Sequence, residues 1–255
     1  MKNSTTCLGL LILCSALSIV RGASGGADPL EIRLRDIPLD FRAVPLSQAL
    51  DRIAYLANSD FVLFGTEIQT VDGREPVISV HIDSGKTMQE VLLILTAQIP
   101  DYEFEGVGSH LINVLPVSAL NDPKDLLNVR AGSLHLHEVV LTNFLSNPAR
   151  YVPELKAAIL QGATPGCAMG IWSADSGVGI NADLRAGTIR DQLNEASVFS
   201  ASMAERGQAK AYGWVYFHEL FPSGTRPEYT WRVLTSWNPA SQHARGIATV
   251  KGNHN

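Results

Sequence analysis

His135 and His137 are one candidate pair for chemistry. Two apart on a strand, they point the same way, as metal ligands can. No third ligand is identifiable, and an internal repeat matches the pair to Arg33 and Arg35, which read as plain solvent-facing positions. The neighbouring HEVVL is not a zinc-protease motif, because Leu141 stands where the second histidine belongs. Cys167 is a nucleophile if a histidine folds beside it. Between Pro165-Gly166 and an apolar run, it reads more simply as a small buried hydrophobe. Ser84-Gly85-Lys86-Thr87 resembles the tail of a phosphate loop, but Val80 occupies the place of the required glycine, so a turn with Thr87 near a helix start fits better. Gly177 and Gly179 lack the third glycine of a dinucleotide fingerprint. Glu103 and Glu105 alternate with Tyr102 and Phe104 and read as the wet face of a strand. A last candidate is aromatic. Tyr212, Trp214, Tyr216 and Trp231 belong to a long hairpin that either binds a partner or sugar through an outward face or packs as core and domain contact. No catalytic, cofactor or metal site is assigned.

The elements that would position these residues follow from periodicity. Ile78, Val80 and Ile82 alternate along a strand, then Met88, Val91, Leu92 and Leu95 recur at helical spacing. Upstream, Ile32, Leu34, Ile37, Leu39 and Phe41 read as a strand bulged around Asp36 to Pro38. Pro45 opens a helix with Leu46, Ala49, Leu50 and Ile53 as its stripe, and FVLFG follows as a short strand before a loop from Thr66 to Pro76. YEFEGV and HLINVLPV form a hairpin. The order over residues 30–117 is strand, helix, strand, strand, helix, strand, strand.

Residues 118–130, with Asn121, Asp122, Pro123 and Lys124, read as a linker. Beyond it the pattern returns. Ile78, Val80 and Ile82 plus 102 give Ile180, Ala182 and Leu184; Met88, Leu92 and Leu95 plus 101 give Ile189, Leu193 and Ala196. Ile32 and Leu34 plus 102 give Leu134 and Leu136, with a helix expected at Ala149 to Gln161 and a short strand at Cys167 to Trp172. Residues 131–237 thus read as a divergent second module ending in the aromatic hairpin, and 238–255 as a flexible tail. The expected class is α+β: two tandem β-α-β-β-α-β-β modules, each with two helices on one face of a small sheet.

Lys2, the apolar run Leu8 to Val20 and the small residues after it have the order of a secretory signal peptide, residues 1–22, with cleavage near Gly22 or Ala23. Leu13 before Cys14 argues against a lipidated cysteine. Taking Lys2 and Arg21 from 20 basic residues leaves 18 against 25 acidic ones, a net of −7. That balance points to neither nucleic acid nor anionic lipid, and no later stretch is long and apolar enough to span a membrane. One cysteine then remains, so the cores must hold without an internal disulfide.

IPLDFRAVPLSQALDRIAYLANSDFVL, VISVHI and MQEVLLILTAQIPDYEFEGVGSHLINVLP carry a resemblance to the secretin and TonB N-terminus short domain. The matching positions are Val44, Pro45, Leu46, Ala49, Leu50, Ile53 and Ala54, then Val91, Leu92 and Leu95. Gly85, Lys86, Thr87 and Met88 depart from the triplet that tends to open the family's second helix. The resemblance covers about a third of the chain. It implies an exported, non-catalytic docking or assembly module of the cell envelope, periplasmic or surface-associated, with other envelope proteins as partners and no room after Trp237 for a pore or barrel. The rivals are a periplasmic enzyme using Cys167 or His135 and His137, and a glycan-binding module using the aromatic hairpin.

Overall fold

The computed structural model describes residues 28–57, 62–162, 179–208, 210–220 and 229–235. The class is α+β. In the first half β1 (Leu39–Pro45) leads into α1 (Leu46–Leu56), β2 (Leu63–Val71), β3 (Val77–Ile82), α2 (Met88–Thr96), β4 (Tyr102–Val107) and β5 (Leu111–Pro116). A single turn, α3 (Val117–Leu120), and a short strand, β6 (Arg130–Ala131), lead to β7 (Leu134–Val140), α4 (Leu141–Ser146) and α5 (Pro153–Gly162). The chain closes with β8 (Gly179–Leu184), β9 (Gly187–Thr188), α6 (Ile189–Glu205), β10 (Tyr212–Leu220) and β11 (Tyr229–Thr235). No helix of the described residues is long and apolar enough to cross a membrane.

The two halves repeat one another in detail. β1 pairs antiparallel with β3, Leu39 opposite Ile82 and Phe41 opposite Val80, with a register break before Val44. β7 pairs with β8 in the same manner, Leu134 opposite Leu184 and Leu136 opposite Ala182, with the break before Val139. Each ribbon is entered through the same turn. Asp28 Oδ1 accepts from the Leu30 N–H at 3.0 Å, and Asp125 Oδ1 from the Leu127 N–H at 2.7 Å. Thr87 caps α2 in a reciprocal box with Glu90, and Thr188 caps α6 with Asp191.

These equivalences correct the expected alignment. Leu134 and Leu136 correspond to Leu39 and Phe41, not to Ile32 and Leu34, and the counterpart of α1 is α4 rather than a helix at 149–161. A constant offset of 102 fails because the second copy is two residues shorter between its entry turn and its ribbon and seven residues longer between the two ribbon strands. The bulge of β1 accordingly falls between Phe41 and Val44, not at Asp36 to Pro38.

Beyond these two ribbons the modules share a sheet. One five-stranded sheet, in the order β11-β10-β2-β5-β4, draws on both halves, with β2 parallel to β5 on one side and to β10 on the other. Alternate residues of its strands therefore serve different cores. Phe64, Ile68, Ile112, Val114 and Val215 pack with Leu50 and Ile53 of α1 and Leu92 of α2. Leu115, Tyr212, Trp214 and Tyr216 pack with Phe144 of α4 and Leu193 of α6. The expectation of two helices on one face of each small sheet is thus corrected: the helix pairs cover opposite faces of a shared sheet. That explains why β2 runs on through the expected loop at 66–71. A central strand buried on both faces shows no alternation to read.

The stretch 118–130 is likewise no solvated linker, since Asp125, Leu126 and Leu127 are buried. The expected signal peptide, the Cys167 strand, the hairpin turn at 221–228 and the expected tail lie outside the described residues.

Candidate functional site

The buried second face of the sheet holds a polar cluster. Glu67 sits mid-strand on β2, opposite Tyr216 of β10, and His218 follows on the same face of β10. Asp125 reaches them from the entry turn of the second half: Oδ1 is committed to its own turn and Oδ2 is buried. Glu67 is fully buried and Asp125 is 1% exposed. Ligand atoms of Glu67, Asp125 and His218 all lie within 4.8 Å of one another.

Arg190 on α6 supplies the facing positive charge. Its Nη1 donates to Asn128 Oδ1 at 2.9 Å, while Nη2 stands 3.8 Å from Glu67 Oε2, beyond the range of a charge-assisted hydrogen bond. Asn128 is held by the Ala119 and Asp122 carbonyls at 2.7 and 2.8 Å. Both Glu67 carboxylate oxygens and Asp125 Oδ2 are buried, and among the described residues no group donates a hydrogen bond to them. His218 Nδ1 lies 3.7 Å from Glu67 Oε1.

Electrostatics follow from that geometry. Burial pushes the Glu67 carboxyl up to about 7, against the opposing pulls of Asp125 and Arg190. Asp125 is also pushed up to about 7, by burial first and then by the Glu67 charge. Two carboxyls in contact are both acceptors, so they satisfy one another only when a proton or a cation sits between them. Burial lowers His218, favouring the neutral ring that can act as a metal ligand.

The histidines singled out in the sequence stand elsewhere, exposed on β7. Their rings stack with centroids 6.5 Å apart. His135 Nδ1 faces Asp183 Oδ1, and His137 Nδ1 lies 2.9 Å from Asn181 Oδ1. Among the described residues the two histidines belong to no group of three or more potential metal ligands. They correspond by ribbon register to Asp40 and Arg42 rather than to Arg33 and Arg35. His135, Asp183, Asn181, Glu195 and Phe199 line an open surface hollow.

Tyr212, Trp214 and Tyr216 are buried. Their place as partner-binding candidates is therefore corrected: the three form core. The Trp214 indole donates to Asn194 Oδ1 at 2.9 Å, satisfying a polar group carried inward. The side chain of Trp231 and the whole of Cys167 lie outside what is described. Glu103 and Glu105 are exposed, and Glu105 accepts from Asn113 Nδ2 at 3.2 Å. Thr87 caps a helix, Gly85 takes φ +76° in the turn before it, and Gly179 opens a strand.

Glu67, Asp125 and His218 were not singled out by sequence reasoning. Two signals were present. A glutamate interrupts the apolar run VLFGTEI, and Asp-Leu-Leu-Asn-Val-Arg at 125–130 repeats Asp-Pro-Leu-Glu-Ile-Arg at 28–33.

No family model matches the chain, and neither a curated protein nor a solved structure does.

Proposed function

We propose that the chain is a non-catalytic docking or assembly module of the cell envelope, exported and then periplasmic or surface-associated, a relative of the N-terminal domains of secretins and TonB-dependent receptors. The pattern of Val44 to Ala54 and Val91 to Leu95 supports the kinship. Leu46, Ala49, Leu50, Ile53, Val91, Leu92 and Leu95 are the buried stripes of α1 and α2.

The observation that carries the docking role is the outer edge of β4. It closes the shared sheet, and among the described residues no strand pairs with it. Such an edge offers a row of backbone donors and acceptors to an added strand. Glu103 and Glu105 stand exposed along it, and two residues apart they share a face. The partner they fit is an extended segment of an envelope protein carrying Lys or Arg at alternate positions. The glutamates also discourage pairing with a second copy of β4, which would bring like charges together.

Site-specific photocrosslinking in the producing cell tests this. A crosslinker at Glu103 is expected to capture one partner segment, and the same group at exposed Leu160 on α5 is not. Charge reversal, Glu103→Lys with Glu105→Lys, is expected to weaken that capture at least about tenfold, as loss of two complementary rim charges allows. Equal capture at both positions would argue against the β4 edge. Substrate turnover lost in His135→Ala would replace docking by the enzyme reading.

A further inference from the structure

Among the described residues, the Glu67 cluster holds more acidic than basic groups. Two buried carboxylates, Glu67 and Asp125, face the single guanidinium of Arg190. Asp122, half-buried, adds a third negative charge within electrostatic reach of Glu67 and His218. With Glu67, Asp125 and Asp122 all ionised, three negative charges stand against the one described guanidinium, a deficit equal to one divalent cation; without an ion, protons on the raised Glu67 and Asp125 carboxyls fill part of it. Three carboxylate oxygens, Glu67 Oε1, Glu67 Oε2 and Asp125 Oδ2, are buried and have no donor among the described residues. Buried acceptors without donors are costly, so a native fold keeps them where something else satisfies them.

We propose that Glu67, Asp125 and His218 bind one divalent transition-metal ion of the zinc class. Ligand atoms within 4.8 Å need only a small contraction to reach the roughly 4.2 Å maximum that bonds of about 2.1 Å allow. One imidazole with two carboxylates suits zinc rather than magnesium or calcium, which take oxygen alone. Arg190 does not block the ion, because Asn128 holds its Nη1 and Nη2 stays 3.8 Å from Glu67. The ligands come from β2, from the turn before β6 and from β10. The ion therefore clamps the first half, the junction and the last hairpin into one unit. This inference does not depend on the docking role.

The test is a zinc titration of the purified, chelator-stripped chain by calorimetry, with circular dichroism as a check on folding. One ion per chain is expected, with a Kd of about 10 μM or tighter and a rise in Tm on saturation. Glu67→Gln and His218→Gln keep shape and are each expected to weaken binding at least about tenfold. The double variant His135→Ala/His137→Ala, which strips the exposed pair, is expected to bind as the parent does. Binding unaffected by Glu67→Gln, binding lost with the exposed histidines, or no binding below about 100 μM overturns the site. X-ray absorption on the zinc-loaded parent decides the matter if the variants fail to fold. One imidazole with carboxylate oxygens at about 2.0–2.1 Å supports it, and two imidazoles place the ion on β7 instead.

Discussion

Ala43 and Glu138 share one backbone conformation, φ 52° at each, at the same step of two ribbons. Each immediately precedes the first residue paired after a register break, and each ribbon then turns straight into a helix. The left-handed region disfavours any residue with a Cβ, so the repeat conserves a strained geometry while the side chain has changed from methyl to carboxylate.

Glycine relieves that strain. The αL penalty of about 1–2 kcal/mol exceeds the entropy glycine loses on folding, about 0.5–1 kcal/mol. Ala43→Gly and Glu138→Gly are each expected to stabilise the chain by about 0.5 kcal/mol. Urea midpoints at both sites check it, and opposite signs would show that the two bulges are not equivalent.

The shared sheet depends on close approach of β10 to β2. A Cβ at Gly213 would lie within contact range of the Phe64 carbonyl, in backbone that cannot yield. A Cβ at Gly65 would lie 2.7 Å from the Trp214 ring. Gly213→Ala is expected to cost about 2–4 kcal/mol. Because the sheet serves both cores, hydrogen exchange should speed up in α2 and α6 together. Exchange rising in α6 alone would mean that the halves are energetically separate.

The acid pair makes stability fall with rising pH in metal-free protein. Folded Glu67 and Asp125 are each pushed up to about 7, above their ordinary unfolded values, so the folded chain holds protons that the unfolded chain has released. Their contribution is complete below the unfolded values, near pH 4, and is lost as pH rises through about 7. His218 acts in the opposite sense: lowered by burial, it contributes above its ordinary value and loses that contribution as pH falls. Between pH 5 and 8 the acid pair should cost about 5 kcal/mol, roughly half from each carboxyl, and Glu67→Gln should remove at least the Glu67 half of that slope. Denaturation at the two pH values measures it; an unchanged slope in the variant would contradict the shared burial of the pair.

Much of the architecture is written locally. Alternation marks Ile78 to Ile82, helical spacing marks Met88 to Leu95, and Thr87 with Glu90 is a capping box visible as residue types three apart. These follow from neighbours a few positions away, and the repeat in the second half shows through for the same reason. Strand β2 hides its length because both its faces are buried, so polar Thr66 and Glu67 look like the start of a loop. The aromatic hairpin carries no mark of which neighbour it joins.

By its own order of residues, then, the chain determines the ribbons, the helices that follow them and the doubling of the unit, because each depends on short-range geometry and an apolar period. Tertiary structure alone decided that β10 lies against β2, with Trp214 opposite Gly65. Pairing between strands about 150 positions apart is set by which faces can be buried together. That choice turned the aromatic residues inward and brought Glu67, Asp125 and His218 to one place.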